Sequence, residues 1–157
     1  MPTTHHIGLA GSAATMSEFA LRGYNVASPE IDQGDDLFVV NHATSQMWRI
    51  QVKTSVGTPQ QNGTIYFQSN AREAALHPPN APASHFVFVL RLGDRWRFLV
   101  IGIGVLHNYI IAGNGMGTLN NQNRVFTFIY NPATHDVTCS GINLNHHLED
   151  WVVWPII

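Results

Sequence analysis

A chain of 157 residues, 45% hydrophobic and only 11% charged, has the length of one domain and the composition of a packed core, which excludes a disordered or highly solvated polymer. Its formal net charge of -2 provides no global attraction for nucleic acid or an anionic membrane, so any nucleic acid must be met by a local patch. The longest apolar run, Phe98 to Leu106, contains Gly102 and Gly104 and falls short of the roughly 18 residues that span a bilayer, so no membrane partner is expected. Cys139 stands alone and Met1 to His6 lack a basic-then-apolar leader, which points to a cytoplasmic setting without disulfides.

In chain order, Ile7 to Arg22 is rich in Ala, Leu, Met and Glu and stops at Gly23, so it reads as a helix. Tyr24 to Ala27 reads as a short strand entering a polar, acidic loop, Ser28 to Asp36. Leu37 to Asn41 and Trp48 to Thr54 are strand-like, with turn-forming Asn41 to Ser45 between them, and form a hairpin. A Pro, Gln, Asn and Gly loop, Thr58 to Gly63, precedes a strand Thr64 to Ser69 and a short helical segment Ala71 to Leu76. His85 to Leu92 and Trp96 to Ile103 make a second hairpin around Gly93-Asp94. Val105 to Ala112 is helical in character, Gly113 to Asn123 reads as a flexible loop, and Arg124 to Tyr130 and Asp136 to Ser140 read as strands. The class is α/β in the α+β sense, a helix followed by a largely antiparallel sheet.

The first hairpin concentrates the chemistry. With its turn near residue 44, partner numbers sum to about 88, which sets Asp36 opposite Gln51 to Lys53. Gln51 and Lys53 project from one face of the strand, and Ile50 and Val52 from the other, toward a core. An aspartate can bind a hard divalent cation. Gln51 and the Val52 carbonyl can add neutral oxygens, and Lys53 can orient water or stabilise a developing phosphorane. Lys53 is the only lysine beside seven arginines, so a compact, tunable ammonium sits where a plain cation would have been arginine. Glu30, Asp32, Asp35 and Asp36 put four of the ten carboxylates within seven residues. A charged hairpin mouth balanced by Lys53 is the plain structural alternative.

The run Asp32-Gln33-Gly34-Asp35-Asp36-Leu37, then fourteen residues counted from Leu37 to Ile50, then Gln51-Val52-Lys53-Thr54-Ser55, resembles the PD-(D/E)XK nuclease superfamily. The likeness is to its resolvase-like branch with a Gln-Val-Lys third motif, and Gly8-Leu9-Ala10-Gly11 and Leu21-Arg22-Gly23-Tyr24 resemble that branch's first helix and helix-to-strand junction. The resemblance implies a restriction-endonuclease-like mixed sheet with a central antiparallel hairpin flanked by helices. It implies one nuclease-like domain over 1–157, with a core of about 7–112 and a C-terminal elaboration of about 113–157. It makes Asp36, Gln51 and Lys53 catalytic, and Asp36, Gln51 and the Val52 carbonyl ligands of Mg²⁺ or Mn²⁺. The chain departs from the branch at Ser12, where relatives carry a metal-holding glutamate. Glu18 and Glu30 are weaker substitutes, and Glu18 lies roughly 120° around the helix from Ser12.

The expected function is divalent-metal-dependent hydrolysis of phosphodiester bonds in duplex or branched DNA, by a possible homodimer. The alternative is an inactive nuclease fold kept as a nucleic-acid or partner-binding module. Arg49 shares strand parity with Gln51 and Lys53 and is expected to bind DNA, with Arg91, Arg95 and Arg97 completing a patch. Adjacent His5-His6 and His146-His147 are expected to diverge and form no two-ligand site, and Cys139 to be a buried, inert thiol. Gly113 to Gly117 lacks the lysine and context of a phosphate loop. The apolar tail with Trp151 and Trp154 either packs on the core or forms an interface.

Overall fold

A computed structural model describes residues 3–31, 33–113 and 115–157. Helix α1 (Thr4–Leu21) starts at Thr3, whose hydroxyl and the His6 side chain close a capping box. It ends where Gly23 takes φ +93°, a conformation that suits a residue without a Cβ. The buried positions Gly11, Thr15 and Phe19 recur every four residues, a narrow stripe that faces the first sheet. Gly11 is required there, because a Cβ would lie 1.9 Å from the Thr54 hydroxyl oxygen.

The first sheet has the order β1 (Asn25–Ala27), β2 (Leu37–Val40), β3 (Met47–Val56), β6 (His85–Leu92), β7 (Arg95–Gly102). The β2–β3 hairpin pairs Leu37 with Ile50, and β6–β7 form the second expected hairpin, whereas β3 and β6 run parallel. Parallel pairing needs a crossover, and the intervening chain uses it to build β4 (Thr58–Pro59) and β5 (Ile65–Arg72) of a second, antiparallel sheet. That sheet is completed by β8 (Thr118–Asn120), β9 (Asn123–Asn131), β10 (Asp136–Cys139) and β11 (Ile142–Asn143). Helix α2 (Ile103–Ile111) follows β7.

Because β3, β6 and β7 lie between two layers, they carry apolar side chains on both faces. Phe86 and Phe88 pack toward the second sheet, with Phe88 4.9 Å from Phe128 and 5.3 Å from Phe126 between ring centroids. On the other face Ile50, Val52, Val87 and Val89 meet Phe19, Trp151 and Trp154. The tail therefore packs on the core through its tryptophans, Trp154 lying 5.0 Å from Phe19, and exposes Val152, Val153, Ile156 and Ile157.

Several local expectations give way to tertiary contacts. The segment Ala71 to Leu76 divides between the end of β5 and a 3-10 helix, Glu73–Leu76, because Arg72 stays in the ladder with Asn123. Part of Gly113 to Asn123 is strand β8, paired with β9; Asn114 lies outside the described residues. His146 and His147 do not diverge. In a 3-10 turn, Asn145–His147, both rings bring Nε2 to 3.1 Å from the Tyr109 hydroxyl.

Candidate active site

Strand β2 begins at Leu37, and Asp36 just before it extends the pairing with β3 through both its backbone and its side chain. The Asp36 N–H donates to the Ile50 carbonyl at 2.8 Å, while one Asp36 carboxylate oxygen accepts the Val52 N–H at 2.7 Å and the Gln51 side-chain amide. A strand residue directs its N–H and C=O to the same side, so the Val52 carbonyl also faces this edge. The sequence pattern thus brings Asp36, Gln51 and Val52 together at the end of one strand.

Gln51 and Lys53 share a face and Ile50 and Val52 the other, as alternation requires. That polar face is not an open surface, however. Gln51 is only 6% exposed, since β5 and the 3-10 helix rise over it and leave a cavity of about 550 Å³. Asp36, Gln51 and Lys53 all line this cavity, with Phe86 beside Gln51 in the β3–β6 register. Ala71, Ala74 and Ala75 form much of the opposite wall, and their small side chains keep the space open.

The second wall contributes Arg72, which the sequence reading missed. Its signal was the period-two pattern Gln68, Asn70, Arg72, which continues three residues past the strand end expected at Ser69. Four arginines are engaged in ion pairs: Arg22 with Glu18, Arg49 with Asp35, Arg97 with Glu149 and Arg124 with Glu73. Arg91 stacks over Trp96, 5.4 Å from the ring centroid. Among the described residues, Lys53, Arg72 and Arg95 are the cations without such a partner, and two of these three face the same cavity.

The other candidate residues lie elsewhere. Glu18 pairs with Arg22 at 2.8 Å and lines a different cleft with Arg95, Arg97 and Glu149. Glu30 is exposed and does not line the cavity, and neither does Ser12. Asp32 lies outside the described residues. Asp35 is 1% exposed and receives two hydrogen bonds from Arg49, at 2.9 and 3.0 Å, which hold the guanidinium above its ordinary pKa. The expected arginine patch does not assemble. Arg49 sits near the start of β3, while Arg91 aligns with Val56 at its far end.

No family model matches the chain, and no curated protein matches it significantly. Solved structures do match. The fold resembles that of a bacterial homing endonuclease. That protein, I-Ssp6803I, superposes with a TM-score of 0.63 over 98% of this chain and 91% of its own, at 16% sequence identity. The likeness is one of architecture, an α+β nuclease-like fold with a mixed sheet around the β2–β3 hairpin. Helix α1 covers one face of that sheet; the second sheet covers the other.

The Asp36 carboxylate and the Gln51 side-chain amide line the cavity, and the Val52 main-chain carbonyl lies on the Asp36 side of β3. Among the described residues no group of three or more His, Cys, Asp or Glu is placed to hold a metal. The donor set fits a hard cation such as Mg²⁺, which keeps several waters and takes one or two carboxylates together with substrate phosphate. It does not fit zinc, which favours nitrogen and sulfur.

Proposed function

We propose that this chain is a divalent-metal-dependent DNA endonuclease of the PD-(D/E)XK type. The observation that carries the reading is the convergence of Asp36, Gln51 and Lys53 on one cavity, within a fold resembling a homing endonuclease. Asp36, with the Gln51 amide oxygen and the Val52 carbonyl, would hold Mg²⁺ or Mn²⁺. When bound, the metal supplies Lewis-acid activation of water and of the phosphate. Lys53 positions the attacking water and stabilises the charge that develops on the phosphate oxygens, its ammonium having no ion-pair partner among the described residues. Arg72, on the facing wall, holds a phosphate oxygen and limits movement of the backbone being cut. The reading includes DNA as substrate and a cytoplasmic setting. A homodimer would place two such cavities on two strands, and the exposed apolar tail residues support one.

The second reading, a binding module without catalysis, is favoured by a specific feature: Ser12 and Gln51 are neutral where relatives of that type carry acids. The two are separated by incubating purified protein with supercoiled plasmid and linear duplexes in Mg²⁺ or Mn²⁺. Cleavage that is lost in Lys53→Ala supports the enzyme. Retention of DNA without cleavage by the wild type supports the module.

A further inference from the structure

A strip of unpartnered polar side chains leads away from the cavity along the outer face of the second sheet. Strand β5 alternates buried Phe67, Ser69 and Ala71 with exposed Tyr66, Gln68, Asn70 and Arg72. The register with β9 adds Thr127 beside Gln68 and Asn123 beside Arg72, and β8 adds Asn120 beside Asn123. None of these side chains has a hydrogen-bond partner among the described residues. The amides of Asn41, Asn62, Asn131 and Asn143, by contrast, accept backbone N–H groups in turns. Strands β5, β8 and β9 contain no aspartate or glutamate at all.

This composition suits a particular ligand. Gln and Asn each present a donor and an acceptor that match the adenine N6/N7 edge, Arg matches guanine O6/N7, and hydroxyls accept either pattern. A β-ribbon fits the major groove, whose width is about 12 Å. From Tyr66 to Arg72 there are six residue steps of about 3.3 Å each, or about 20 Å, the length of about six base pairs. One end of the strip is Arg72, which lines the candidate active site. At the other end Tyr66, Gln68 and Thr127 border a cleft of about 430 Å³ with Thr4 and Ile7 of α1 and with Thr54, the neighbour of Lys53.

We propose that the outer face of β5, β9 and β8 reads base edges in the major groove of duplex DNA while the adjoining cavity holds the scissile phosphate. The proposal rests on the nuclease reading. It also accounts for a weakly anionic chain acting on DNA: with few phosphate contacts, affinity and discrimination come from neutral base contacts, and salt dependence is shallow.

The test is selection from a pool of duplexes with a randomised central segment, followed by the same selection with Gln68→Ala, Asn70→Ala and, as a control on an exposed face of α2, Asn108→Ala. The wild type should enrich a defined sequence. Each β5 variant should relax preference at one or two adjacent positions by about tenfold, the discrimination that one good side-chain-to-base pairing supplies. Asn108→Ala should change nothing, and all variants should melt like the wild type. A wild type that selects and cleaves a sequence while both β5 variants keep its preferences would overturn the proposed face and leave the nuclease reading standing. Cleavage with no sequence preference would do the same. A wild type that neither retains nor cleaves any duplex would overturn both.

Discussion

The Asp36 carboxylate accepts the backbone N–H of Val52 at 2.7 Å, so the residue expected to hold metal also closes the open end of the β2–β3 ladder. Asparagine keeps an oxygen able to accept that N–H but loses the charge. Asp36→Asn should therefore cost about 1 kcal/mol of stability and abolish Mg²⁺-dependent cleavage. Urea unfolding read beside plasmid cleavage checks it. Unfolding of the variant at room temperature, or cleavage at the wild-type rate, would contradict the assignment.

Lys53 is half-buried beside an open cavity and makes no ion pair among the described residues, so its removal should leave the fold intact. Lys53→Ala should lower the cleavage rate by at least about a hundredfold, within the range for losing one electrostatic stabiliser. Lys53→Arg is more discriminating. A planar guanidinium retains the charge but not the compact geometry, and activity should stay low. Full activity in the arginine variant would remove the case built on the sole lysine.

The Arg49 guanidinium is tied to Asp35, which is 1% exposed and accepts two hydrogen bonds from it. Arg49→Ala should destabilise the protein by about 2 kcal/mol, less than for a fully buried pair because the guanidinium itself remains partly exposed. Adding Asp35→Asn should recover much of the loss. Chemical denaturation of both variants gives the answer, and a neutral effect of Arg49→Ala would show that the pair is not structural.

Gly11 approaches β3 so closely that an added methyl meets the Thr54 side chain, including its Cβ at 2.7 Å. Alanine favours a helix by about 1 kcal/mol over glycine. Gly11→Ala should nonetheless be destabilising by about 1–3 kcal/mol, since α1 must move off the sheet. A raised melting temperature would show that the helix can shift freely.

Burial lowers the pKa of His85, packed 4.7 Å from Trp154, and burial also lowers that of His147. With folded-state values below the unfolded value of about 6.5, the unfolded chain binds more protons in the interval between them. Stability is thus fully present above about pH 6.5 and declines as pH falls through the folded-state values. The melting temperature should drop between pH 7.5 and 5.5, and His85→Gln should flatten that drop. An identical pH profile in the variant would assign the sensitivity to other groups.

The Asp36, Gln51 and Lys53 grouping was legible without coordinates because it depends on short-range rules. A hairpin loop sets the register, and strand alternation puts residues 51 and 53 on one side. The second hairpin and the apolar runs of β6 and β7 follow from the same local patterns. The closing of that polar face into a cavity, by contrast, depends on a crossover that no local pattern specifies.

Tertiary structure alone decided the rest. Arg49 and Asp35 are neighbours across the hairpin mouth, but only the burial of Asp35 makes their ion pair a structural one. His146 and His147 meet at Tyr109, 37 and 38 residues away, because a 3-10 turn replaces the regular element in which adjacent rings diverge. Arg72 reaches the cavity because β9 extends β5 beyond the strand's own propensity. Sequence determines a residue's side and its nearest partners through backbone periodicity. Which charges remain free for a substrate depends on desolvation and long-range pairing, and these exist only once the two sheets have packed.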